Sequence, residues 1–221
     1  MNTLIIAPHP DDEILGAGGT LKKRSRLKGN NIFWVIMTMP DKKDYDKKFI
    51  LKRKKQIIKI KSMLNFKQVF ELNFPSMKLD MVPKKEIVRS ITDIFHKVRP
   101  EEVFVPHLGD VHSDHKVISE IISTCTKNFR FNFIKKILAY EVLSETNFNL
   151  IKTKKFYPNY YEDISDFLSF KIKAMKVYKS ELRKFPFPRS IETIKALAKI
   201  RGSEIGAKAA EAFEVMKIIK N

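Results

Sequence analysis

Four times within the first 126 residues, a short apolar run gives way to a longer amphipathic stretch. The apolar runs fall at residues 3–8, 32–37, 68–72 and 102–106. The second, Ile32-Phe33-Trp34-Val35-Ile36-Met37, is apolar on both faces, as a strand buried on both sides must be. The stretches that follow, near residues 14–28, 47–64, 83–98 and 114–126, carry apolar side chains at helical spacing. Strands alternating with helices of this length specify an α/β protein with a Rossmann-like, doubly wound, mainly parallel sheet flanked by helices. Further strands are expected at 136–142 and 155–161, and a helix at 164–182, capped by Asp163 or Ser165. A last helix at 190–201 follows the bend Phe185-Pro186-Phe187-Pro188, and residues 209–220 fit a helix or a strand. Polar loops are expected at 40–45 and 73–80. With no repeat, low-complexity stretch or linker, residues 1–221 are expected to form a single domain.

Composition matters mainly for what it excludes. The lone Cys125 rules out an internal disulfide framework and a multi-cysteine metal site; its apolar surroundings suit a buried side chain in a reducing, cytoplasmic setting. No apolar run approaches the ~20 residues of a bilayer span, so no integral membrane segment is expected, and no basic region precedes the first apolar run as in a signal peptide. A net charge of +18 would suit a polyanion-binding module. However, 34 of the 43 basic residues are lysines spread through most segments, and the densest basic stretch, 47–61, lacks interleaved stacking aromatics. Nucleic acid is therefore not an expected partner, and lysines gathered on one face would be needed to revive it.

Two polar clusters sit directly after expected strands. The first is His9-Pro10-Asp11-Asp12-Glu13; the second, about a hundred residues later, is His112-Ser113-Asp114-His115. Neighbouring parallel strands end on the same edge of a sheet, so these exit loops are expected to meet. Two imidazoles with a carboxylate form a common catalytic zinc set that leaves positions open for water and substrate. Zinc would generate hydroxide near neutral pH, a second carboxylate would serve as base, and a second imidazole would protonate a leaving group or stabilise an oxyanion. Of the remaining histidines, His96 lies mid-helix and fits a structural role, while His107 lies near the site. The glycines of Gly16-Ala17-Gly18-Gly19 lack the G-x-G-x-x-G spacing and fit close packing of the first helix on the sheet.

At these motifs the chain resembles the LmbE-like, or PIG-L, family of zinc-dependent N-deacetylases. The resemblance is carried by Pro8-His9-Pro10-Asp11-Asp12-Glu13 with Gly16-Ala17-Gly18-Gly19-Thr20, and by residues 106–115. It continues weakly through Tyr140-Glu141-Val142, Arg201-Gly202 and Ala210-Glu211-Ala212-Phe213. It implies His9, Asp12 and His115 as ligands of Zn2+, Asp11 as the general base, and His112 as the acid. Asp114 would orient His112 and raise its pKa. Arg53 stands where relatives often carry a substrate-contacting arginine. Ser76 replaces a sugar-contacting aspartate, and Asp110 replaces a tyrosine and fits a supporting partner of the ligands. The implied partner is a small-molecule amino-sugar conjugate, the implied products are acetate and a free amine, and a homo-oligomer is compatible with the family. A non-catalytic sugar- or nucleotide-binding protein on the same fold is the alternative.

Overall fold

The computed structural model describes residues 1–40 and 45–220; residues 41–44 of the expected loop 40–45 lie outside the described residues. The four expected β-α steps are present. They are β1 (Asn2–Ala7) and α1 (Asp12–Arg26), β2 (Asn31–Met39) and α2 (Lys47–Leu64), β3 (Gln68–Pro75) and α3 (Lys84–Val98), then β4 (Glu102–Pro106) and α4 (Ser113–Cys125). The chain continues through β5 (Lys136–Tyr140), β6 (Tyr160–Asp163), α5 (Leu168–Met175), α6 (Ile191–Ser203) and β7 (Ala210–Ile218). The seven strands of the described residues form one sheet in the order β3-β2-β1-β4-β5-β7-β6. The first five of these run parallel, while β7 is antiparallel to both β5 and β6.

Alternate residues of the central strands enter two apolar layers. Ile5, Trp34, Ile36 and Phe104 pack with α1, α2 and α5, whereas Leu4, Ile6, Val35, Val103 and Val105 pack with α3 and α4. That double burial is why these strands read as unbroken apolar runs. Winding reverses between β1 and β4, so their exit loops share the crevice at the carboxyl edge of the sheet.

Three elements differ from the sequence pattern. The expected strand 155–161 forms only at Tyr160–Asp163, after Pro158, which has no N–H for a ladder. The expected helix 164–182 breaks into a 3₁₀ turn, α5 and a second 3₁₀ stretch, Lys176–Glu181. The last of these loses helical geometry at Tyr178, whose fully buried hydroxyl donates to Glu13. In the expected loop 73–80, β3 runs on to Pro75, and a 3₁₀ turn forms at Leu79–Met81.

Helix α1 is irregular at Ala17, with φ −142°. The backbone groups freed there are taken up by a buried ion pair. Lys171 Nζ donates to Leu15 O at 2.7 Å, and Glu211 accepts from the Gly19 and Thr20 N–H groups at 2.9 and 2.7 Å. Gly16 lies against the Tyr140 ring, where an added Cβ would stand 2.2 Å from a ring carbon. Exposed lysines stand on α2 (Lys47, Lys55) and on α3 (Lys85, Lys97), at opposite faces of the sheet, so the positive charge is not gathered on one surface.

Candidate metal centre and active site

The two polar clusters meet at the β1/β4 crevice. Ligand atoms of His9, Asp12 and His115 lie within 4.8 Å of one another. Asp12 Oδ2 is 3.2 Å from His9 Nδ1 and 3.3 Å from His115 Nε2. The outer nitrogen of each imidazole is held by a carboxylate. His9 Nε2 donates to Asp114 Oδ2 at 3.0 Å, and His115 Nδ1 donates to Asp110 Oδ2 at 2.8 Å. Such partners fix the tautomer and leave the inner nitrogens as lone pairs. Asp110 is fixed in turn by the Thr146 hydroxyl, which donates to its other oxygen at 2.5 Å.

His9, His112 and Asp114 form a second group with ligand atoms close together. His112, however, caps α4: its Nδ1 accepts the Asp114 N–H at 3.1 Å. A neutral ring with Nδ1 as acceptor carries its proton on Nε2, which therefore offers no lone pair. The set His9, Asp12 and His115 fits a metal ion better. Buried Asp12 Oδ1 has no hydrogen-bond partner among the described residues, an orphaned acceptor that a cation would satisfy.

The electrostatics of these side chains point the same way. Burial opposes charge on His9 and His115, but the carboxylates around them outweigh it, raising them to about 9 and about 10. Burial alone would raise the pKa of Asp12, but the same two imidazoles hold it well below the usual carboxylate range. The same negative surroundings that favour protonated imidazoles without a metal would favour a cation among them, and its binding would displace those protons.

The expectation for Asp114 holds in part. Its backbone N–H orients His112 and its charge favours the His112 cation, but its carboxylate hydrogen-bonds elsewhere: besides His9, it accepts the Met77 and Leu79 N–H groups at 2.7 and 3.0 Å. The upward pull of Asp114 on His112 is outweighed. Burial, followed by the charges of His9 and His115, pushes His112 down to about 4.

Asp11 borders the cluster on a strained backbone, with φ 140°. Its N–H donates to Glu13 Oε2 at 2.9 Å, and Glu13 is fixed by Tyr178. Burial and the neighbouring Asp12 charge push Asp11 up to about 7, and burial pushes Glu13 up to about 8. Asp11 and His112 both line a cleft of about 390 Å³, together with His9, Ser76, Arg53 and Arg189. Arg53 is already engaged by the protein, donating to Pro10 O at 3.1 Å and to Glu181 at 2.6 Å. His107 and His96 are not part of this cluster: His107 accepts from the Gly109 N–H and pairs with Glu214, and exposed His96 packs on Phe131. Sequence reasoning missed Arg189, whose only signal is a position next to Ser190, the cap of α6.

Fold and site together define a Rossmann-like α/β protein with a His–Asp–His donor set and an adjoining carboxylate at the topological switch point. Residues 4–126 match the PIG-L family model, described as GlcNAc-PI de-N-acetylase, and the chain belongs to that family. Among similar proteins is the diacetylchitobiose deacetylase of Thermococcus kodakarensis, 25% identical over 80% of this chain and 69% of that protein. The N,N'-diacetylchitobiose deacetylase structure from Pyrococcus horikoshii has a TM-score of 0.77 and 25% identity, over 98% of this chain and 84% of that one. A conserved protein from Thermus thermophilus shares the fold, with a TM-score of 0.77 and 24% identity over 99% and 96% of the two chains.

Proposed function

We propose that this chain is a zinc-dependent amidohydrolase that removes the N-acetyl group from an N-acetylated amino sugar or its conjugate. The observation that carries the proposal is the pair of carboxylate-held imidazoles converging on Asp12, whose Oδ1 is buried without a partner beside Asp11. His9, Asp12 and His115 would hold the zinc. When bound there, zinc supplies Lewis acidity, polarising an amide carbonyl and lowering the pKa of water.

The chain's own groups carry the remaining steps. Asp11, which lines the cleft, takes a proton from the attacking water and can return it to the departing nitrogen. His112 Nε2–H, held outward by the cap bond at Nδ1, donates to the carbonyl oxygen as negative charge builds there. Asp114 and Asp110 keep the two imidazoles oriented. Arg53 holds the Pro10 carbonyl, one residue before the base. The products are acetate and a free amine on the sugar.

The family's description and the two diacetylchitobiose deacetylases support this substrate class. No helix among the described residues is long and apolar enough to cross a membrane. The single cysteine, free and buried, supports a cytoplasmic location. We also take residues 1–221 as one domain, since one sheet gathers every strand among the described residues.

The test is incubation of zinc-loaded protein with N,N'-diacetylchitobiose, N-acetylglucosamine and its lipid, thiol and nucleotide conjugates, followed by a primary-amine assay. Metal-dependent amine release from at least one is expected. Silence across the panel with one zinc bound per chain would overturn the proposal.

A further inference from the structure

Arg189 reaches the cleft from the bend between α5 and α6. Its backbone is fixed at that point: the Ser190 N–H donates to Phe187 O at 2.9 Å, and Ser190 Oγ caps α6 by accepting the Thr193 N–H. Its guanidinium makes three hydrogen bonds and also pairs with Glu181, Nη1 lying 3.8 Å from Glu181 Oε2. Nη1 donates to Asp11 Oδ2 at 2.9 Å, Nε to Ser144 Oγ at 2.8 Å, and Nη2 to Glu145 Oε1 at 3.2 Å. Among the described residues, Arg189 is the only hydrogen-bond partner of the Asp11 carboxylate.

Ser144 and Glu145 belong to the turn after β5. The next residue, Thr146, is the one that fixes Asp110 and, through it, His115. One turn therefore braces two sides of the site. Its Ser144-Glu145 part sets Arg189 against the base, and its Thr146 part sets a ligand imidazole. The backbone of Asp11 is held separately, by Glu13 at its N–H and by Arg53 at the preceding carbonyl. Without Arg189, no hydrogen bond among the described residues would hold the carboxylate in its rotamer. Because Arg189 takes Oδ2, Oδ1 is the oxygen left for the water in the cleft.

We propose that Arg189 is a positioning residue: braced by Ser144 and Glu145, it fixes the rotamer of the Asp11 carboxylate and presents its second oxygen to the reacting water. This rests on Asp11 acting as the base. It does not depend on which amino sugar is the substrate.

The experiment pairs crystal structures with kinetics for Arg189→Met and Arg189→Lys. In Arg189→Met the Asp11 carboxylate is expected to leave its wild-type rotamer while His9, Asp12 and His115 stay in place and metal content is unchanged. kcat on the best substrate is expected to fall about 100-fold, with KM within about threefold of wild type. An unmoved Asp11 carboxylate overturns the proposal, whatever the kinetics. So does an unchanged kcat, or a loss expressed mainly in KM. If the Met variant does not fold, Arg189→Lys decides. One ammonium cannot span Ser144, Glu145 and Asp11 together, so kcat should fall about tenfold with metal retained; a wild-type kcat overturns the proposal. Should the wild-type protein release no amine, the deacetylase proposal fails by itself, and the Asp11 rotamer in the variant crystals still decides the role of Arg189.

Discussion

Removing metal from the His9–Asp12–His115 cluster should make the protein increasingly sensitive to alkali. Without metal, His9 and His115 rise from 6.5 to about 9 and about 10. A cationic group whose pKa is higher in the folded state stabilises the fold fully below its unfolded pKa. That stability is lost as the pH climbs through the folded value. The window is therefore pH 6.5 to 10. At about 1.36 kcal/mol per pKa unit, the His9 shift alone is worth about 3 kcal/mol. His115 leans on the same Asp12, so the pair contributes about 3–5 kcal/mol rather than the sum of two independent groups. For a chain of this size that is roughly 10 °C in Tm. Asp11 and Glu13, raised to about 7 and about 8, lose stability in the same direction but finish earlier, between about pH 4 and 8. A bound dication replaces the two protons, so the loaded protein should not share the histidine loss. Calorimetric melting at about pH 6.5, 8 and 9.5, with chelator or with zinc, measures the gap between the two forms. The gap should widen steadily with pH. The general repulsion from the +18 charge acts on both forms and cancels in the difference. A constant gap, or parallel decline of both curves, would refute the protonated, metal-exchangeable pair.

Other perturbations follow from the same contacts. Asp11→Asn should retain one metal per chain and lose about 10²–10⁴ in kcat; full activity in that variant would remove Asp11 from the role of base. Asp110→Asn, which weakens the hold on His115 Nδ1, should lower zinc affinity by about 10–100-fold in a chelator competition, with wild-type affinity as the contrary result. Gly16→Ala forces a Cβ to 2.2 Å from the Tyr140 ring and should cost about 1–3 kcal/mol in urea denaturation, a cost absent if the ring can shift freely.

The parallel half of the fold is legible in the sequence because its strands are apolar on both faces and its helices keep a 3.6-residue rhythm. The bounds of α2 and β4 coincide with those expected from the pattern. Beyond β5, tertiary contacts override local spacing. The apolar rhythm of 164–182 looks like one helix, but Tyr178 turns inward to reach Glu13, 165 residues away in sequence. The convergence of His9, Asp11, Asp12, His112, Asp114 and His115 is readable because adjacent parallel strands share an exit edge. Which imidazole the Asp114 carboxylate holds is not readable: its N–H serves His112, its near neighbour in sequence, whereas the carboxylate bonds His9, 105 residues earlier. Arg189 is 178 residues from Asp11 and sits in a bend without a motif, so only the folded chain reveals it.

Hydrolysis of an N-acetyl group has a signature that binding proteins cannot imitate. Zinc-loaded protein, incubated in H₂¹⁸O with the N-acetylated sugar that releases amine, should yield acetate and amine in equal amounts, with one solvent-derived oxygen in each acetate. Amine appearing without labelled acetate, or neither product forming at a fully loaded site, would contradict the assignment of His9, Asp12, His115 and Asp11 to a metal-dependent deacetylase.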